Sequence, residues 1–147
     1  MKTAFAALLG LLLVQGMVFA GVDTNIPETN RVILASGDWK PSEEDTQRAL
    51  NAIQTFLDKP TSTNAWELGE IKKILAHTKD YRVQFKGVLF DGRKLVFCNF
   101  FPVDRGEGFN YWKEHEVAVD DGGFAFWQIY FDPKTGECLK FMSNGDA

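Results

Sequence analysis

The sequence has no apolar run long enough to stay in a membrane, and it has no block of basic residues. Its N-terminal apolar run is interrupted by Gly10, Gln15 and Gly16, whereas a transmembrane helix needs about 20 nearly continuous apolar residues. Acidic and basic residues are interspersed, and the formal net charge is −4. Because nucleic acids and anionic membranes bind clustered Lys and Arg, we expect no nucleic-acid partner. Because the apolar run is short and interrupted, we expect no stable membrane anchor.

The motifs of common catalytic and cofactor sites are also absent. The chain contains no G-x-S-x-G nucleophile elbow and no phosphate-binding P-loop. Its two histidines, His77 and His115, are far apart, and a structural zinc site needs four ligands. The turn at Asp120 and Asp121 departs from the EF-hand spacing. The sequence therefore predicts no catalytic residue, no metal site and no cofactor, and it favours a non-enzymatic protein.

Cysteine is scarce, with only Cys98 and Cys138 in the chain. In an oxidising compartment such a pair can form a disulfide, although the spacing alone does not decide it. The alternative is two buried free thiols that act as small apolar side chains. The neighbouring rings of Phe97, Phe100 and Phe101 favour a buried, unreactive Cys98, but the sequence leaves both interpretations of the pair open.

Residues 1–20 are typical of a cleavable signal peptide. Lys2 supplies the positive charge, the apolar segment runs from Leu8 to Val14, and Ala20 ends a small-residue cleavage site. We therefore expect the mature chain to begin near Gly21 and the protein to be exported to the periplasm or the medium.

The rest of the chain divides into an irregular N-terminal segment, residues 21–41, and a single domain, residues 42–147. Ser42 is a good N-cap, and Pro60 ends the helical pattern that follows it. The apolar residues that recur at helical spacing and should face the sheet are Leu50, Ile53 and Leu57. A second, less regular helix follows Asn64, whose spacing to Glu67 resembles a capping box.

From Tyr81 onward the hydrophobic period changes to two, which predicts β-strands. The dipeptide Asp91-Gly92 predicts a hairpin between the first two strands. Turn residues at 120–123 and 132–136 delimit further strands at 113–119, 124–131 and 137–143. Helices followed by hairpin strands predict an α+β fold, with one or two N-terminal helices packed on a curved antiparallel sheet of about five strands, in a cystatin-like or NTF2-like architecture.

Several short stretches occur in a characteristic order along the mature chain. They are Gly37-Asp38-Trp39-Lys40-Pro41-Ser42, Gln84-Phe85-Lys86-Gly87-Val88, Asp121-Gly122-Gly123 followed by Phe126-Trp127, Tyr130-Phe131-Asp132-Pro133-Lys134-Thr135-Gly136, and Asn144-Gly145. In this order they resemble a family of small exported bacterial proteins with no assigned function, marked by a C-terminal DGG-x-x-F-W … D-P-x-T-G … N-G pattern. The resemblance implies a compact exported domain, and it implies no activity and no catalytic residues.

The aromatic segment 100–112 is the strongest candidate for a binding surface. It contains Phe109, Tyr111 and Trp112 among glycines and charges, and large rings on loops often anchor partners. The alternative is that these rings pack onto the sheet as core. We hypothesise an exported, non-enzymatic module that binds a protein or a small ligand through these three rings. The alternative functions are an inhibitor of an extracellular or periplasmic hydrolase and an enzyme with a pocket between sheet and helix.

Overall fold

The computed structural model describes residues 26–103 and 108–145. The predicted signal peptide, residues 1–20, lies outside this range. The described residues form two helices, α1 (Glu43–Asp58) and α2 (Ala65–Ala76), and five strands, β1 (Arg31–Ile33), β2 (Tyr81–Phe90), β3 (Arg93–Pro102), β4 (Trp127–Asp132) and β5 (Glu137–Ser143). Both helices pack on a curved, unclosed sheet, which confirms the α+β fold.

Helix α1 begins where the sequence predicts, at a reciprocal capping box. The hydroxyl of Ser42 accepts a hydrogen bond from the Asp45 N–H at 3.1 Å, and the Asp45 carboxylate accepts one from the Ser42 N–H at 3.0 Å. Two of the N–H groups that a helix start leaves open are thereby satisfied. The predicted sheet-facing side chains Leu50, Ile53 and Leu57 are all buried in the main core.

Helix α2 also starts at its predicted residue, but with a different cap. The Asn64 side chain accepts from the N–H groups of Trp66 and Glu67, at 2.9 and 3.3 Å. The Glu67 carboxylate accepts from the Ser62 hydroxyl at 2.9 Å. The Asn64 side chain therefore caps α2, but the Glu67 carboxylate bonds Ser62 and not the Asn64 N–H. The predicted resemblance to a capping box does not hold for the Glu67 side chain.

The sheet has the strand order β1-β2-β3-β4-β5. Neighbouring strands from β2 to β5 are antiparallel, whereas β1 pairs with β2 in parallel. The sheet is therefore mixed, and the prediction of a wholly antiparallel sheet is corrected at this edge. The parallel pair is possible because both helices lie between β1 and β2 in the chain and supply the long crossover that such a pair requires.

The predicted strand at residues 113–119 is wrong. The chain turns there instead, with the Trp112 N–H bonded to the Phe109 carbonyl at 3.0 Å and the Glu114 N–H to the Tyr111 carbonyl at 2.9 Å. The alternating pattern arises because the segment lies on a sheet face and buries one side of itself, Val117 included. Strand β1 supplies the fifth strand in its place.

The two faces of the sheet are covered differently. The inner face packs against α1 and α2 and forms the main core, which includes Phe85, Cys98 and Ile129. The outer face carries a second apolar cluster beneath residues 108–126, which we call the crossing segment. Phe101 of β3 belongs to that second cluster.

Candidate functional site

The three rings predicted to bind a partner all lie in the crossing segment, but they differ in exposure. Trp112 is only 6% exposed and packs edge-on to Phe101, with ring centroids 5.9 Å apart. Phe109 is half-buried between Phe101 and Phe126. Tyr111 is 41% exposed. The burial of Trp112 favours the alternative that its ring packs as core, because it completes the second apolar cluster. Tyr111 is the one ring of the three with a large exposed area.

Two buried amide side chains hold the crossing segment on the sheet. Gln84 of β2 lies directly opposite Asn99 of β3. The Gln84 Nε2 donates to the carbonyls of Trp112 and His115. Its Oε1 accepts from the Val117 N–H at 2.9 Å and from Asn99 Nδ2 at 3.0 Å. Asn99 Nδ2 also donates to the Val117 carbonyl at 2.8 Å. We call these two residues the amide clamp.

The amide clamp explains polar positions that the sequence analysis left out. Asn99 is a polar residue on a face of β3 that is otherwise apolar, with Phe97 and Phe101 on either side of it, and buried amides are stable only when hydrogen-bonded. That mismatch was the available signal for a covering segment. The clamp has no exposed functional group in the described structure, so it acts in folding and not as a site.

The two cysteines are free thiols in the structure. Cys98 lies on β3 and Cys138 on β5, and β4 runs between these strands. Burial raises the pKa of the Cys98 thiol well above its usual range and the pKa of Cys138 to about 12. Both groups are therefore protonated near neutral pH, and neither is a reactive nucleophile.

The histidines do not form a catalytic or metal-binding group. His77 lies 3.2 Å from the exposed carboxylate of Asp80, and His115 is an exposed residue on the crossing segment. Within residues 26–103 and 108–145, no group of three or more His, Cys, Asp or Glu side chains could hold a metal ion.

A cleft rich in cations lies where the first turns of α1 meet the β2–β3 hairpin and the β4–β5 turn. Its volume is about 450 Å³. Among the described residues, its lining combines four cations, two carboxylates and two neutral turn residues: Arg48, Arg93, Lys94 and Lys134, Asp45 and Asp132, and Gly92 and Pro133. We call it the basic cleft.

Both carboxylates of the basic cleft are engaged within the protein. Asp45, the third residue of α1, accepts from the Ser42 N–H at 3.0 Å and from the Ser42 hydroxyl at 2.8 Å, and it lies 3.8 Å from the Arg48 guanidinium. Asp132 is buried, pairs with the Arg93 guanidinium, and accepts from the backbone N–H of Lys134 at 2.8 Å. The hydrogen bond from Arg93, helped by the backbone donors, holds the pKa of Asp132 below its ordinary value. The cleft therefore keeps a surplus of positive charge at neutral pH.

The cations of the cleft are held in place by the fold. Arg48 donates to the Pro133 carbonyl at 2.7 Å, which ties α1 to the β4–β5 turn, and its guanidinium carbon lies 5.7 Å from the centre of the Phe131 ring. Asp132 fixes Arg93 through a charge-assisted hydrogen bond. Both arginines remain exposed, so that their side chains stay accessible to solvent at the cleft.

A larger groove of about 650 Å³ lies between β1 and α1. Its charged lining is mostly acidic, with Glu28, Glu43 and Glu44 around Arg31. Arg31 is used internally, because it donates to the Ile26 carbonyl at 2.7 Å and to the Gln47 side chain at 3.0 Å. The acidic side chains Glu43 and Glu44 lie in the first turn of α1, where they stabilise the helix dipole, and this structural role accounts for them.

Neither helix in the described part of the chain is long and apolar enough to cross a membrane. Comparisons with protein-family models, with curated proteins and with solved structures found no match to the chain. The resemblance to the exported bacterial family and the cystatin-like or NTF2-like architecture therefore stay predictions. What the protein does has to be argued from the chemistry of its own surfaces.

Proposed function

We propose that the protein is an exported, non-enzymatic binding module that takes a ligand bearing an oxyanion in the basic cleft. This proposal rests on one observation, the positive charge of the basic cleft. Four cations line a cleft with two carboxylates, each paired with one of the cleft's own arginines, so Lys94 and Lys134 remain as surplus positive charge in a chain whose formal net charge is −4. Such a local reversal of charge in an acidic protein favours an anionic ligand over a cationic or neutral one.

The geometry of the arginines supports a phosphate, sulfate or carboxylate group as the bound anion. A guanidinium presents N–H donors in a planar fork that matches two oxygens of such a group. Asp132 holds Arg93 through one nitrogen of its guanidinium. The guanidinium of Arg48 is held by the Pro133 carbonyl through one nitrogen and lies 3.8 Å from the Asp45 carboxylate through the other. Little side-chain entropy is then lost on binding, because both side chains are already ordered.

The other functions have less support. An enzyme with a pocket between sheet and helix has a candidate in the groove between β1 and α1, but Glu43 and Glu44 in its lining are accounted for by the first turn of α1. A hydrolase inhibitor that used the aromatic segment would need its large rings exposed there, and Trp112, the largest of them, is buried. The proposal of export rests on the pattern of residues 1–20 and on the family resemblance.

Isothermal titration calorimetry of the purified protein with inorganic phosphate, and separately with sulfate, tests the proposal. We expect saturable binding that Arg93→Gln weakens about tenfold or more, since a hydrogen bond to a charged group contributes about 1.5–3 kcal/mol. Lys59→Gln removes the same charge from an exposed position at the end of α1, away from the cleft, and should leave the affinity unchanged. Absence of saturable binding, or equal weakening by both variants, would contradict the proposal.

A further inference from the structure

We infer that the ligand of the basic cleft is an anionic amphiphile, a single molecule with an oxyanion head and an alkyl tail. This inference rests on the proposed function and adds the chemistry of the rest of the ligand. It comes from two exposed apolar side chains at the end of the β2–β3 hairpin, Leu89 and Phe90, which are 53% and 46% exposed.

Each of these side chains lies directly opposite a cation of the basic cleft. In the β2–β3 register Leu89 pairs with Lys94, and Phe90 pairs with Arg93. Directly opposite residues in an antiparallel pair have Cβ atoms about 4.5–5.5 Å apart. Successive side chains of a strand lie on opposite faces of the sheet, so Leu89 and Lys94 share one face of the hairpin end and Phe90 and Arg93 share the other. On each face an exposed apolar group therefore lies beside a cation of the cleft.

The inner side of the hairpin end is fixed by the segment before α1. The Leu89 N–H donates to the Asp38 carboxylate at 2.8 Å, and the Trp39 indole N–H donates to the Val88 carbonyl at 3.2 Å. Lys94 lies over the Trp39 ring, with Nζ 5.4 Å from the ring centre. The backbone at Leu89 is therefore held by hydrogen bonds while its side chain is exposed. The half-buried ring of Trp39 extends the apolar surface beside it.

The outer side has a cation of its own beside the apolar group. The ammonium of Lys140 on β5 lies 4.0 Å from the centre of the Phe90 ring. Strands β3 and β4 separate β5 from β2, so this contact requires the sheet to curve and bring the hairpin end toward β5. Phe90 thus lies between Lys140 and Arg93, and both sides of the hairpin end combine an exposed apolar side chain with positive charge.

An anionic amphiphile matches this combination of cations and exposed apolar side chains better than an oxyanion alone or an alkyl chain alone. The head satisfies the cations of the cleft, and the tail covers apolar surface that is otherwise in contact with water. An anionic phospholipid bilayer also presents oxyanion heads and alkyl tails, but it is the less suitable partner. Asp91 forms the apex of the hairpin and would meet the anionic membrane surface first. The chain's net charge of −4 also opposes approach to such a surface.

The test compares inorganic phosphate with butyl, hexyl and octyl phosphate, each below its micelle concentration, by calorimetry on the purified protein. Complete burial of a methylene group contributes a factor of about four in affinity. We expect octyl phosphate to bind at least about tenfold more tightly than phosphate, with a steady gain along the series. The double variant Leu89→Ser/Phe90→Ser should lose that gain and keep the affinity for phosphate.

The matched control is Trp66→Ser/Leu68→Ser, which removes two exposed apolar side chains from α2. It should keep the gain with chain length. If phosphate binds through Arg93 but octyl phosphate binds no more tightly, the amphiphile inference is overturned and the proposed function stands. If the gain persists in the hairpin variant, or if anionic phospholipid vesicles bind where octyl phosphate does not, the inference is likewise overturned. If neither phosphate nor its alkyl esters bind, both proposals fail.

Discussion

Asp132 shows how one buried carboxylate can organise a cationic surface. It receives a hydrogen bond from the Arg93 guanidinium and two from the backbone N–H groups of Lys134 and Thr135. The same residue therefore shapes the β4–β5 turn and orients a cation of the cleft. Because all three donors favour the ionised form, they lower the pKa of Asp132 despite its burial.

The lowered pKa of Asp132 has a consequence for stability. A carboxyl whose pKa is depressed by folding contributes stability above its unfolded pKa of about 3.9, and that contribution is lost as the pH falls through the folded value. We expect Asp132→Asn to lower the free energy of unfolding by about 1–3 kcal/mol at pH 7. Urea denaturation from pH 7 down to pH 2 should show the gap between the two proteins closing below about pH 4. A gap that stays constant over this range would contradict the role given to the ionised form.

The adjacent rings Tyr111 and Trp112 differ in burial, and single substitutions should separate them. Trp112→Ala should cost about 3–5 kcal/mol of stability, the range for deleting a buried large ring. Tyr111→Ala should change stability by about 0.5 kcal/mol or less, as at most exposed positions. Thermal and urea denaturation measure both. A small loss for Trp112→Ala would mean that its ring is not part of the second apolar cluster.

The elements that could be predicted from the sequence are those that local chemistry determines. Helix α1 follows from Ser42 and its apolar period, and the β2–β3 hairpin follows from Asp91-Gly92, whose residues both adopt the positive φ that such a turn requires. Strand β1 has only three residues, and the short apolar run Val32 to Ala35 is compatible with either a surface tail or a short strand. Its parallel pairing with the distant strand β2 leaves no local signal. Residues 113–119 of the crossing segment show the pattern of a strand because one-sided burial on a sheet face also alternates.

The amide clamp should determine whether the crossing segment stays on the sheet. Gln84→Leu would leave two carbonyls and the Val117 N–H without their partner, at about 1–3 kcal/mol for each buried unsatisfied group. We expect a loss of at least about 3 kcal/mol and faster hydrogen exchange at the Val117 amide. Gln128→Leu removes a single hydrogen bond, to the Asn99 side chain at 3.2 Å, and serves as the control. Unchanged protection of Val117 in Gln84→Leu would show that the segment is held by its apolar contacts alone.

At the scale of the whole molecule, the distribution of charge matters more than its sum. The sequence correctly indicates an acidic chain without a basic block, yet the basic cleft collects cations from three separate elements. Arg48 comes from α1, Arg93 and Lys94 from the β2–β3 hairpin, and Lys134 from the β4–β5 turn. Spacing along the chain does not reveal such a site, because the fold alone brings these positions together.

The prediction of export also concerns the whole molecule, and it has a direct test. If residues 1–20 are a signal peptide, mass spectrometry of the protein recovered from the periplasm or the medium should find Gly21 at the N-terminus. Recovery of the full-length chain in the cytoplasm or the membrane fraction would contradict export. The anion site would then need a ligand present in that compartment.

The location of anion binding can be measured directly by titrating phosphate into the isotope-labelled protein and following its backbone amides by NMR. We expect saturable shifts at Gly92, Arg93, Lys94 and Lys134, with one common affinity, and no saturable shift at Tyr111. Saturable shifts confined to Tyr111 and its neighbours in the crossing segment, or no saturable shift along the basic cleft, would contradict the assignment of the cleft as the binding site.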